Sequence, residues 1–157
     1  MKNQMILTML ATMLLTACCD DDKNIEFGSL PASAKSFVTE YFNDKKVATV
    51  FYENEIGDSE YEVVFTDGSK ISFRKDGVWE EVTTRDSVGV PSAIIPTAIN
   101  DYVAANNSGM RIIKISKEYK GFKVMGLGKE DTYYEIELNN DLEMLFDVKG
   151  NLIRYDD

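Results

Sequence analysis

Apolar residues recur at helical spacing in two stretches of the chain. Ala34, Phe37, Val38, Tyr41 and Phe42 form one stripe. Ile99, Tyr102 and Val103 form the other, which Asn106-Asn107-Ser108-Gly109 brings to an end. Each predicted helix opens at a proline, Pro31 or Pro96, which the first turn tolerates because its missing N–H would be unpaired there anyway. Between the helices the period changes from 3.6 to two. Tyr61, Val63 and Phe65 alternate with Glu60, Glu62, Val64 and Thr66, the pattern of a sheet buried on one side. Asp67-Gly68 predicts a two-residue hairpin turn with both residues at positive φ. Lys75-Asp76-Gly77 predicts a longer turn, with glycine at the left-handed position and Trp79 opposite Phe73 on the inner face.

The same pattern occurs twice. Leu30-Pro31 aligns with Ile95-Pro96, and Phe37-Val38 with Tyr102-Val103. Val47 and Val50 meet Ile112 and Ile115, an offset of 65 residues. Tyr61-Glu62-Val63 then aligns with Tyr134-Glu135-Ile136, Phe73 with Phe146, Gly77 with Gly150 and Trp79 with Leu152, an offset of 73. The eight extra residues fall within Ser116–Tyr133, a stretch holding Gly121, Gly126 and Gly128 that reads as a longer loop or extended hairpin. The expected fold is α+β: two tandem units, residues 30–82 and 90–157, joined by a linker at 83–89. Each is a helix followed by a four-stranded antiparallel meander. A unit of roughly 55 residues is marginal by itself, so the two are expected to join edges or share a core. The result would be one continuous sheet with both helices on one face.

The amino terminus carries an address. A short polar start with Lys2 precedes a nearly unbroken apolar run from Met5 to Leu15, too short to span a bilayer and suited to a secretory signal. Leu15-Thr16-Ala17-Cys18 resembles a bacterial lipobox, so residues 1–17 are expected to be removed and Cys18 to be lipidated. Several acyl chains, at about 0.8 kcal/mol per buried methylene, make a durable anchor. Residues 18–29 form an acidic tether. Its Asp20-Asp21-Asp22 run resembles the export tag of surface lipoproteins in gram-negative gut bacteria. The expected location is the outer membrane, with the domain at the cell surface; a periplasm-facing tether is the alternative.

Charge and composition narrow the chemistry. Asp plus Glu number 27 against 17 Lys plus Arg, a net charge of -10 over 157 residues. Such a chain repels phosphate backbones and gains nothing from an anionic membrane surface, so nucleic acid is excluded and the membrane enters only through the lipid. There is no histidine, which removes the commonest general base and most zinc or copper sites. The two cysteines, Cys18 and Cys19, are adjacent and leave the folded part without a disulfide. Glu135 and Glu137 can share a strand face, but glycosidase chemistry needs such a pair across a cleft, and a one-sided sheet offers none. Gly126-x-Gly128 lacks the strand-to-helix setting of a phosphate loop. No catalytic residue, cofactor or metal site is expected.

Leu30-Pro31 before an amphipathic helix, Tyr61-Glu62-Val63, Asp67-Gly68, Ile71-Ser72-Phe73 and Asp76-Gly77-Val78-Trp79 together resemble the PepSY-like family of small gut-bacterial lipoproteins. The second copy departs from the pattern at Asn140-Asp141 and in its longer loop. The resemblance implies a fold similar to the beta-lactamase inhibitor protein, whose tandem units bind a protein on the open sheet face. From the alternation, that face should carry Phe51, Glu60, Glu62, Val64, Ser72 and Arg74 in the first copy. In the second it should carry Tyr133, Glu135, Glu137, Glu143 and Leu145. This mixture of apolar and charged side chains suits an interface as well as it suits plain solvent. The expected function is a non-enzymatic, membrane-anchored module binding a protein or peptide of the cell envelope or exterior. One alternative is an envelope peptidase inhibitor presenting the loop Lys120 to Asp131. Another is a glycan-binding accessory lipoprotein, which would need an exposed aromatic platform; the one tryptophan, Trp79, is expected in the core.

Overall fold

The computed structural model describes residues 23–55, 58–118 and 133–156. The expected signal peptide, Cys18, the three aspartates of the tether and the glycine-bearing loop all lie outside these residues. Among the described residues, the helices are α1 (Ala32–Tyr41) and α2 (Thr97–Asn106). Pro31 and Pro96 stand immediately before them, each with φ -51°. Ala34 and Val38 of α1, and Ile99 and Val103 of α2, are buried at i,i+4 spacing, which is the stripe the sequence predicts.

The strands are β1 (Lys23–Asn24), β2 (Val47–Glu55), β3 (Asp58–Phe65), β4 (Lys70–Arg74) and β5 (Trp79–Thr83), then β6 (Ile112–Glu118), β7 (Tyr133–Leu138), β8 (Glu143–Phe146) and β9 (Leu152–Asp156). They form one nine-stranded open sheet in sequence order, and every neighbouring pair is antiparallel. The architecture is α+β, with two helices and this single sheet among the described residues. The halves meet where β5 pairs with β6, with Glu81 opposite Ser116, Val82 opposite Ile115 and Thr83 opposite Lys114. Thr84 extends the junction by donating its backbone N–H to the carbonyl of Ile113 at 2.7 Å.

Four hairpins share one turn. The amide of Gly68 donates to the carbonyl of Phe65, that of Gly77 to Arg74, that of Asp141 to Leu138 and that of Gly150 to Asp147. Each loop is closed one residue later, as where the amide of Phe65 donates to the carbonyl of Ser69. These are three-residue loops with a left-handed residue last. The two-residue turn expected at Asp67-Gly68 is therefore corrected: Gly68 alone has positive φ, at +87°. Asp67 instead bends its side chain back, accepting from the amide of Ser69 at 2.9 Å. In the third hairpin the left-handed place falls to Asp141, at φ 64°.

Side chains from both helices and from alternate strand positions form one buried cluster running across both halves. Phe37 of α1 meets Phe73 edge-on at 5.7 Å, Phe42 stacks on Phe65 at 5.3 Å, and Tyr102 of α2 meets Phe146 edge-on at 5.3 Å. Phe42, Phe65, Phe73 and Phe146 are fully buried, each stabilising the fold by about 1.5–3 kcal/mol relative to exposure. Two turns lock the helices in place. A Cβ on Gly77 would lie 2.7 Å from Pro31 Cβ, and one on Gly150 would lie 2.5 Å from Ala98 Cβ. In both halves the glycine lets a strand turn pass directly under a helix start.

Candidate binding face

Strand register decides which side chains share the side of the sheet away from the core. Phe51 stands opposite Glu62, Glu62 opposite Ser72, Ser72 opposite Glu81, and Glu81 opposite Ser116. The row continues through Glu135 to Leu145 and Arg154. A second row runs from Thr49 through Val64, Lys70, Thr83, Lys114 and Glu137 to Glu143. Glu60 and Arg74 pair beyond the first row. The structure thus brings Phe51, Glu62, Val64, Arg74, Glu135 and Glu137 onto one surface.

Tyr133 and Leu145 lie on the same side but do not present themselves to solvent. They are 5% and 4% exposed and form a small second cluster with Ile153. Leu145 and Tyr133 sit diagonally across the β7–β8 pair, close enough for an aromatic ring to reach. As a docking surface the expected face therefore ends before this corner.

The middle of the face is electrostatically organised. Lys114 Nζ lies 3.5 Å from Glu81 Oε2. Burial works against its charge, but the carboxylates of Glu81, Glu135 and Glu137 outweigh it and hold the ammonium above the ordinary lysine value. One cation is shared among three carboxylates. Lys70 pairs with Glu62 at 3.1 Å, and Arg74 with Asp76 at 2.6 Å, both at exposed positions where such pairs contribute little stability. Phe51 and Val64 are half-buried between these charges.

Trp79 is not an open platform. Its ring stacks on Phe37 at 5.8 Å on one side, and Lys117 Nζ lies 3.6 Å from the ring centroid. Lys117 pairs across to Tyr134 on the core side of the sheet, where alternation offers a charged residue no obvious place. Sequence reasoning missed it, although a lysine at an otherwise apolar position of β6 was the available signal. Among the described residues no group of three or more Cys, Asp or Glu side chains could hold a metal ion. Among the same residues no helix is long and apolar enough to cross a membrane.

With the fold, the paired hairpins and this face in view, comparison with known proteins assigns the family. The model described as "Putative beta-lactamase-inhibitor-like, PepSY-like" matches residues 59–154. The chain belongs to the PepSY-like family. A solved structure of a "putative calcium-regulated periplasmic protein" from Bacteroides thetaiotaomicron is 39% identical, with a TM-score of 0.76, covering 87% of this chain and 98% of its own. A "putative periplasmic protein" of Bacteroides vulgatus is 37% identical with a TM-score of 0.75, covering 88% of this chain and 99% of its own. A second Bacteroides vulgatus structure, of a "putative periplasmic protein of unknown function", is 30% identical with a TM-score of 0.74, covering 87% of this chain and 99% of its own. No protein of curated function matches the chain. The PepSY-like match includes all of β3 but its first residue, β4 to β8 whole and the first three residues of β9. It therefore takes in the sheet face except Thr49 and Phe51 of β2, and the pairing of β5 with β6.

Proposed function

We propose that this PepSY-like protein is a non-enzymatic binding module of the cell envelope, anchored through a lipid on Cys18. Its partner is a protein or peptide that docks on the sheet face away from the helices. In this reading the two halves are tandem copies of one unit, and both helices cover the same side, which leaves the other side for a partner. The observation that carries it is the make-up of that side: half-buried Phe51 and Val64 among charges, with three carboxylates, Glu81, Glu135 and Glu137, around Lys114. A basic surface with small apolar contacts complements it. The shared hairpin turns and the two glycines under the helix starts support the tandem organisation. The periplasmic description of the relatives agrees with export, and the lipobox pattern with anchoring at the outer membrane, displayed at the surface.

Cross-linking of the native lipoprotein on cells tests the face directly. A Phe51, Val64 and Arg74 triple alanine variant should keep its melting temperature and lose the cross-linked partner. A variant that stays folded and still captures the partner places the site elsewhere. For the anchor, fatty-acid labelling should disappear in Cys18→Ala and persist in Cys19→Ala; equal labelling of wild type and Cys18→Ala removes the lipid from the reading.

A further inference from the structure

The sheet treats its two edges differently. At the first edge, Asn24 of β1 lies opposite Phe51 of β2, and the amide of Ile25 donates to the carbonyl of Val50 at 2.9 Å. Ile25 also packs against the core. With the offset of 65 residues, Phe51 and Val50 correspond to Ser116 and Ile115, which pair with Glu81 and Val82. The chain's own β1 therefore occupies on β2 the place that β5 takes on β6. At the far edge, β9 pairs with β8, and no other described strand joins it.

β9 is the counterpart of β5. The offset of 73 residues sets Arg154, Tyr155 and Asp156 where Glu81, Val82 and Thr83 stand. Their partners agree: Ser72 pairs with Glu81 as Leu145 pairs with Arg154, and the irregularity after Ser72 recurs after Leu145. Val82, flanked by Ile115 of β6, is 0% exposed, whereas Tyr155 is 50% exposed. Thr84 sends its N–H toward β6, and amides two apart point to the same edge, so the amide of Val82 points that way too. By correspondence the amide of Tyr155 points to the side on which no described strand lies. The Tyr155 hydroxyl is within 2.8 Å of the Tyr102 hydroxyl, which holds the ring at this edge beside α2.

We infer that the outer edge of β9 receives an extended peptide strand from a partner protein, antiparallel, with apolar residues alternating with basic or polar ones. The fold itself holds the pattern for such an occupant: β6 seated on β5. That strand with the residue before it, Arg111-Ile112-Ile113-Lys114-Ile115-Ser116-Lys117-Glu118, carries three basic residues and one acidic residue, Glu118 at its far end. Its apolar Ile115 covers Val82, and an apolar residue in the same place would cover Tyr155. The chain as a whole is acidic, with a net charge of -10, which favours a basic strand over an acidic one. A second copy is a poorer occupant, because the strand that corresponds to β6 is β2, and its edge is already taken by β1. Backbone pairing of this kind supplies affinity, while alternate side chains supply specificity. The inference stands apart from the face proposed above, since it uses the edge of the sheet.

The probe is a synthetic, end-blocked, fluorophore-labelled peptide with the sequence of residues 111–117, titrated against the full-length lipoprotein in detergent micelles. Anisotropy should saturate, and added salt should weaken the binding. Hydrogen exchange should slow at Leu152–Asp156. A peptide N-methylated at the position of Ile115 cannot make the pairing hydrogen bond, and it should bind about tenfold more weakly or worse. It leaves the protein untouched, so loss of binding cannot come from misfolding. Tyr155→Pro, whose missing amide lies on an edge, should show the same loss with an unchanged circular dichroism spectrum. Equal binding of the N-methylated peptide overturns the inference. So does protection confined to β3 and β4, which points to the face instead, and so does self-association that the peptide disrupts, which makes the edge an interface between copies. A face variant that loses its cross-linked partner but still binds the peptide separates the two readings.

Discussion

Lys117 holds its ammonium 3.6 Å from the centre of the Trp79 ring, on the core side of the sheet. Burial pushes its pKa down to about 8, with the charge of Arg74 adding to the shift and Glu80 opposing it. The ring face favours the charged form and also works against the shift. Trp79 is the protein's single tryptophan, so its emission reports on this one contact. The emission should titrate with a midpoint near pH 8, and the transition should vanish in Lys117→Met. Because the folded value lies below the unfolded one, the unfolded chain binds more protons between them, and stability should rise as pH increases from about 8 toward 10.5. Urea unfolding across that range should show the rise in wild type and a flat profile in Lys117→Met. A tryptophan signal unaffected by the substitution would dissociate Lys117 from the ring.

Asp67 pairs with Lys45, whose side chain is only 13% exposed. That hydrogen bond, assisted by the amide and hydroxyl of Ser69 and opposed by burial, lowers the Asp67 carboxyl to about 2. A depressed carboxylate contributes stability above its unfolded pKa of about 3.9, and that contribution is lost as pH falls through about 2. Asp67→Asn should cost about 1 kcal/mol at neutral pH and flatten the acid limb of the stability curve between pH 4 and 2. Chemical denaturation at stepped pH measures both.

The two glycines under the helix starts should be unequal to a third one in a similar turn. Gly68, Gly77 and Gly150 all have positive φ, so alanine is strained at each. At Gly68 the new Cβ would meet the end of the flexible Arg85 side chain at 3.2 Å, which can move aside. At Gly77 it would strike Ser33 Oγ at 2.2 Å and Pro31 Cβ at 2.7 Å, both fixed at the start of α1. Gly68→Ala should cost about 1 kcal/mol and Gly77→Ala about 1–3 kcal/mol more. Equal midpoints in urea would mean the turn does not hold the helix.

Asp141 occupies the left-handed place that Gly68 fills in the first half, at φ 64°. Aspartate tolerates this conformation better than most residues but still less well than glycine. Asp141→Gly should raise stability by about 0.5–1 kcal/mol, the gain being partly offset by the looser unfolded chain. Thermal unfolding of the single variant tests it, and a fall in melting temperature would reverse the assignment.

Much of the fold was legible because it depends on local periodicity. A period of 3.6 marked the stripes Ala34–Val38 and Ile99–Val103, and a period of two sorted Glu62 and Val64 from Val63 and Phe65 across the sheet. The turn type at Asp67-Gly68 was misread because both hairpin classes use the same dipeptide, and the choice depends on where the closing hydrogen bond falls.

What the sequence by itself determined was therefore the two helices, the strands β2 to β9 and the side of the sheet on which their residues stand, since these follow from spacing along one strand or one helix turn. β1, two residues within the stretch 18–29 read as a tether, is too short to carry a period. The tertiary structure decided which edges meet. Pairing of residues 81–83 with 114–116 joins the halves into one sheet, and no local pattern distinguishes that union from two sheets sharing a core. It also decided exposure: Tyr133 and Glu135 alternate alike, yet Tyr133 is buried with Leu145 and Ile153. It set Lys117 over Trp79 and left Tyr155 half exposed at the last edge. Burial and pairing between distant residues depend on the arrangement of the whole chain in space, and a periodicity read along a strand has no access to it.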